Sequence, residues 1–192
     1  FPVFAIGEYL KTGKNTLTIK APRMHILAEV MPVYLLGDFD VIPAKTGFEM
    51  AKAEPDSLGS WKSNGLPFYS QKVAYQQNFN IKKEAGANYL VQLSKWNGTV
   101  SEVFVNGKPA GVIAWKPYEC NVTSHLSEGE NEITVKVTGS LKNTFGFFYQ
   151  EANNWIYGPH SWNFSPGKLP GAADFYLPGF GLMEPFVLVK VK

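Results

Sequence analysis

The chain has 192 residues, 45% of them hydrophobic, with 18 basic and 16 acidic side chains and a formal charge of +2. So balanced a charge leaves no electrostatic footprint for nucleic acid, and no apolar run approaches the roughly 20 residues that span a bilayer. The length is enough for one sizeable core and short for two full domains, while 5 Trp, 9 Tyr and 14 Phe suit either a β core or a sugar platform. The first residues, Phe1 to Leu10, carry neither an initiator Met nor a basic n-region and signal-type apolar stretch, so a fragment of a longer polypeptide is expected.

Leu10-Lys-Thr-Gly13-Lys-Asn15-Thr-Leu17-Thr-Ile19-Lys20 echoes Leu126-Ser-Glu-Gly129-Glu-Asn131-Glu-Ile133-Thr-Val135-Lys136. The spacing is far longer than that of a solenoid repeat. Both segments read as a polar turn feeding a half-buried strand. Residues 1–44 are therefore expected to be closing strands of a preceding, similar sandwich, or strands packed onto the main one; residues 45–192 form the main domain. Ala28 to Leu36 is apolar but broken by Pro32, which disfavours a central strand.

Lys72 to Ile81 reads as a strand marked by Val73, Tyr75 and Phe79, with a bulge expected where alternation fails at Gln77. Tyr89, Val91 and Leu93 alternate with Leu90 and Gln92 in a second strand. Val103 and Val105 lead into Asn106–Gly107, a pair that tolerates the positive φ needed at both centres of a type I′ hairpin turn. Glu128-Gly129-Glu130-Asn131 then turns the chain into Ile133, Val135 and Val137, three β-branched residues on one face. Phe186 to Val191 reads as the last strand. No convincing amphipathic helix of ten or more residues is present, so the chain is nearly all-β.

The residues from Trp61 to Gly146 resemble the sugar-binding domain of family 2 glycoside hydrolases. The resemblance is carried by Tyr69–Phe79, the Val103–Lys108 hairpin, the Trp115–Glu119 loop, Asn121–Val137 and Ser140–Gly146. The tail, from Gly158 and from Asp174, looks like the closing segment of bacterial rhamnosidase-like relatives, in which such a domain lies C-terminally. This resemblance implies a galactose-binding domain-like jelly-roll β-sandwich. It also implies a catalytic domain in the same parent chain, and a periplasmic or extracellular home.

Catalytic residues are not expected here. A glycosidase usually needs two carboxyl groups held across one bond, and the family keeps them in a separate barrel domain. Glu128, Glu130 and Glu132 read as solvated charges, and Glu102 and Glu119 as structural or surface groups. Asp38 and Asp40 flank Phe39 and share a strand face, as a metal or acid pair or as a solvated strand end. His25, His125 and His160 lie far apart and in no nucleophile or zinc motif. No cofactor is expected; a structural calcium ion occurs in similar sandwiches, but no ligand cluster specifies one. The single Cys120 reads as a small buried thiol. Asn97-Gly-Thr and Asn121-Val-Thr match the glycosylation triplet, a pattern that arises often by chance.

The favoured activity is contact with an oligosaccharide or polysaccharide. Sugar recognition needs flat aromatic faces beside amides and acids. Trp155, Tyr157, His160 and Trp162, alongside Asn153 and Asn154, supply these in the long irregular stretch from Gln150 to Pro178. A mini-core under that loop, and a purely structural buttress for the catalytic domain, are the competing readings. Trp61 and Trp115 read as packing elements, and Trp96 as the cap of a turn.

Overall fold

The computed structural model of the protein describes residues 3–20, 23, 33–54, 57–145 and 171–192. It divides into two compact units, Phe1–Leu36 and Gly37–Lys192. In the first, the described residues hold one 3-10 turn, Gly7–Tyr9, closed by the Tyr9 N–H on the Ile6 carbonyl at 3.0 Å. The alternating stretch after Asn15 has the pattern of a strand, yet no ladder forms on it among the described residues.

The second unit is an antiparallel β-sandwich. Its strands are β1 (Phe39–Pro43), β2 (Phe48–Lys52), β3 (Lys72–Ile81), β4 (Asn88–Gln92), β5 (Trp96–Asn97), β6 (Val100–Val105), β7 (Lys108–Ile113), β8 (Glu119–Asn121), β9 (Gly129–Thr138), β10 (Gly181–Leu182) and β11 (Val187–Val191). Helical structure among the described residues of this unit is limited to α1 (Lys142–Phe145) and a 3-10 turn at Ala172–Asp174. One sheet has the order β3-β9-β6-β7 and the other β11-β4-β8; β1 with β2 and β5 with β10 make separate pairs. All of these pairings are antiparallel.

The two larger sheets face each other across one core, as the jelly-roll expectation requires. The four-stranded sheet contributes Val73, Val103, Val105, Ile113, Ile133, Val135 and Val137, and the other side Tyr89, Val91, Leu93, Cys120, Val122 and Phe186. Inward residues recur every second position, because successive side chains of a strand point to opposite faces. Burial of Cys120 raises its thiol pKa above the ordinary value, as desolvation of a thiolate must. The space beside its sulfur is kept by Gly111 on β7, where a Cβ would lie 2.5 Å from Sγ.

Two turns set the register. Asn106 and Gly107 have φ of 50° and 74°, the left-handed pair that a type I′ turn demands. At the lead-in to β9, Gly129 has φ of 87°, and Asn131 is fully buried. The Asn131 side-chain amide donates to the carbonyls of Ser127 and Gly129 at 2.8 and 3.0 Å, while its Oδ1 accepts from Ser127 N–H and from Asn106 Nδ2 at 2.8 and 3.0 Å. Asn106 also accepts from Glu132 N–H at 2.9 Å, so one hairpin residue fastens β6 and β7 to β9.

The bulge expected in β3 is absent. β3 pairs with β9 in unbroken register from Lys72↔Thr138 to Ile81↔Gly129. Gln77 stays on the inner face and donates to the Phe186 carbonyl at 3.1 Å, which satisfies the polar group without breaking the ladder. The register shift lies instead between Val103 and Phe104, opposite β7. β7 is a sheet edge, and Pro109 and the bulge blunt it against pairing with another chain.

Replacing Asn131 with Ala leaves the Ser127, Gly129 and Asn106 groups without their shared partner. The expected loss is roughly 2–4 kcal/mol of stability, read as a lower urea midpoint with an unchanged m-value. A loss under about 0.5 kcal/mol, typical of surface changes, would show that the amide does not hold the turn.

Candidate functional site

The described residues enclose a cleft of about 460 Å³ lined by Trp96, Asn97, Gly98, Ala114, Tyr118, Pro178, Gly179 and Phe180. Its position follows from local rules. β5 is only two residues long and pairs with β10 through Trp96↔Leu182 and Asn97↔Gly181. Gly98 then lets the Trp96 ring lie close: a Cβ there would sit 2.7 Å from Val137 Cγ1 and 2.9 Å from both the Thr138 carbonyl and Trp96 Cζ3. The rings of Trp96 and Tyr118 meet edge to face, 5.4 Å apart at 88°, the arrangement favoured by aromatic quadrupoles.

The polar part of the cleft is small. Asn97 Nδ2 donates to the Gly179 carbonyl at 3.0 Å, tying β5 to the segment that ends in Phe180. That bond orients the side chain and leaves its carbonyl oxygen as an acceptor for a hydroxyl. Trp96 Nε1 is buried with no hydrogen-bond partner among the described residues. Mixed aromatic and amide linings of this type can seat the C–H face of a sugar while bonding one edge of it.

Beside the cleft, Lys95 Nζ and Glu184 Oε1 are 2.5 Å apart, and Ser94 Oγ donates to Glu184 Oε2 at 2.9 Å. The Lys95 ammonium and the Ser94 hydroxyl hold the Glu184 carboxyl below its ordinary pKa, and the carboxylate in turn raises Lys95. Both side chains are open to solvent, 71% exposed for Lys95 and 42% for Glu184, so the pair contributes little to stability. Its effect runs with pH as linkage requires: it is present above the ordinary carboxylate range and is lost as pH falls through the lowered Glu184 value.

The tryptophans divide into three environments. Trp61 is 2% exposed and donates from Nε1 to Tyr75 Oη at 2.7 Å, the packing role its sequence context implied. Trp115 is the correction: it is 79% exposed, because the loop after β7 carries it outward beyond Ala114. Trp96 is no turn cap but the first residue of β5. Trp155, Tyr157, His160, Trp162, Asn153 and Asn154, the candidates read from sequence, all lie outside the described residues.

The acids take ordinary partners. Asp40 Oδ2 accepts from Glu54 N–H at 3.1 Å, Glu102 pairs with Lys72 at 2.6 Å, and Glu119 accepts from Gln92 at 3.1 Å. Glu128 and Glu132 accept from Lys83 N–H and Gln76 at 2.9 and 2.7 Å. Of the histidines, His125 lies among the described residues, with its Nδ1 3.2 Å from Ser124 Oγ. Among the described residues, no group of three or more His, Cys, Asp or Glu side chains is placed to hold a metal ion, and no helix is long and apolar enough to cross a membrane.

No family profile matches the sequence. Over 117 residues the chain is 31% identical to a protein of Formosa agariphila provisionally named a beta-glucuronidase, covering 58% of this chain and 10% of that protein. The chain thus spans about a tenth of the length of the curated relative it matches. Among solved structures, the rhamnosidase of Novosphingobium sp. PP1Y is 22% identical with a TM-score of 0.48, over 89% of this chain and 16% of that one. The Bifidobacterium dentium beta-glucuronidase, solved with coumarin-3-O-glucuronide, is 24% identical with a TM-score of 0.36, over 52% of this chain and 19% of its own. The chain is therefore similar to a short part of much longer glycoside hydrolases.

In an NMR titration, the Glu184 carboxyl should titrate below the ordinary range and return towards it in Lys95→Met. A midpoint indifferent to that substitution would mean that the pair does not form in solution.

Proposed function

We propose that the chain is a non-catalytic accessory β-sandwich of a larger carbohydrate-degrading enzyme, acting outside the cytoplasm, whose catalytic domain lies elsewhere in the same polypeptide. Its role is to contact an oligosaccharide or polysaccharide. The observation that carries this reading is the Trp96–Tyr118–Phe180 cleft, in a chain that matches only a tenth of a glycosidase relative. Tyr118 and Phe180 would take the apolar face of a pyranose, and Asn97 Oδ1 one of its hydroxyls. Trp155, Tyr157, His160 and Trp162, with Asn153 and Asn154, are proposed as a further glycan-contacting stretch. No cofactor is required for binding of this kind.

A second reading, a structural buttress without sugar affinity, is supported by the exposure of Trp115 at 79% and Val112 at 59%. These are apolar groups that a neighbouring domain of the same enzyme would cover.

Calorimetric titration against plant and host glycans distinguishes the two. The expected result is saturable binding, weakened at least about tenfold, or roughly 1.4 kcal/mol, in a folded Tyr118→Ala variant. Loss in a Trp155→Ala, Trp162→Ala double variant instead would move the contact to the late stretch. No binding by the wild-type chain to any glycan would overturn the sugar-contacting role and leave the buttress.

A further inference from the structure

The sequence echo between residues 10–20 and 126–136 extends to atomic detail. Gly13 has φ of 92° where Gly129 has 87°. Lys11 N–H donates to Asn15 Oδ1 at 3.0 Å, as Ser127 N–H does to Asn131 Oδ1 at 2.8 Å. Asn15 Nδ2 donates to the carbonyls of Lys11 and Gly13 at 2.7 and 2.9 Å, matching Asn131 on Ser127 and Gly129 at 2.8 and 3.0 Å. All three hydrogen bonds and the left-handed glycine are therefore shared.

The surroundings are opposite. After Asn131 the chain becomes β9, paired with β3 on one side and β6 on the other, with Ile133 and Val135 both at 0% exposure. Their counterparts Leu17 and Ile19 are 57% and 66% exposed, and residues 16–20 form no ladder. Asn131 Oδ1 also accepts from Asn106 of the neighbouring hairpin. Asn15 Oδ1 has the Lys11 bond and no such second donor among the described residues. A preformed turn that costs a left-handed glycine and a three-bond amide clamp, followed by an alternating apolar stripe, is the local code of an inner strand. Here that code is written in full, and among the described residues no strand pairs with it.

We infer that Leu10–Lys20 is the turn and leading half of an inner strand of a second β-sandwich, completed by two antiparallel strands from another part of the same longer polypeptide. The partner presents free backbone N–H and C=O rows on both sides of residues 16–20 and an apolar inner face to Leu17 and Ile19. It also places a side-chain amide or hydroxyl donor on Asn15 Oδ1, in the place Asn106 takes on Asn131. The inference rests on the chain being part of a longer enzyme and is independent of sugar affinity, so a failure to bind glycan leaves it untouched.

The test has two arms. In the 192-residue chain, Asn15→Ala and Leu17→Asp should leave the urea midpoint of the sandwich unmoved, whereas Asn131→Ala lowers it. An equal fall with Asn15→Ala would place the segment in this chain's own sandwich and overturn the inference. In the intact enzyme, amide exchange at residues 16–20 should be at least about 100-fold slower than in the 192-residue chain, as for a strand protected by sub-global opening. Equal exchange in both would overturn it. So would protection in the 192-residue chain that grows with protein concentration, because that marks pairing with a second copy.

Discussion

The sandwich depends on the buried amide of Asn131. A polar side chain at 0% exposure is tolerated only when its donors and acceptors are filled, and Asn131 fills them with the groups that define the turn into β9 and with Asn106 of the next hairpin. Because a one-residue slip would turn every inward side chain outward, this amide decides which of Glu132, Ile133, Thr134 and Val135 face the core. β9 in turn pairs with both β3 and β6, and β6 carries β7. The four-stranded sheet is thus built outward from one fixed register.

The cleft is a by-product of how that sheet ends. β9 finishes at Thr138, whose carbonyl receives Thr99 N–H at 2.9 Å, and Gly98 brings Trp96 down against Val137. The opposite wall comes from Gly179 and Phe180, delivered by β10 and fixed through Asn97. Trp61 lies beneath the same region: its backbone N–H donates to the Phe180 carbonyl at 2.8 Å, and its ring packs on Phe180 and Tyr69. The aromatic residues therefore run from the buried Trp61 to Phe180, Trp96 and Tyr118 at the cleft.

The two turns around Asn15 and Asn131 separate local from tertiary causes within one molecule. Identical amide geometry forms in both, so the turn is a product of Gly, Asn and short-range hydrogen bonds alone. Strand formation after it is not, since a strand has no hydrogen bonds of its own and exists only when a neighbour supplies them. The alternation at Leu17 and Ile19 is as regular as at Ile133 and Val135, yet only the latter is a strand among the described residues.

The sequence by itself determined the local features: the Asn106–Gly107 turn, the alternation of β4 and β9 and, among the described residues, the near absence of helix. Each rests on φ preference or on the period of two, which are properties of neighbouring residues. The resemblance to family 2 sugar-binding domains pointed in the same direction. The tertiary structure decided the rest. Gln77 reads as a break in β3 because its partner, the Phe186 carbonyl, is more than a hundred residues away. Asn106 reads as a turn residue, while its second role as a clamp on β9 appears only when the hairpin meets Glu132 and Asn131. The cleft escaped sequence reasoning for the same reason: Trp96, Tyr118 and Phe180 are scattered along the chain, and sheet topology alone brings their rings together. Trp115 and Trp61 read alike as packing elements, and the tertiary structure separates them: the loop after β7 leaves Trp115 79% exposed, whereas Trp61 is 2% exposed in the core.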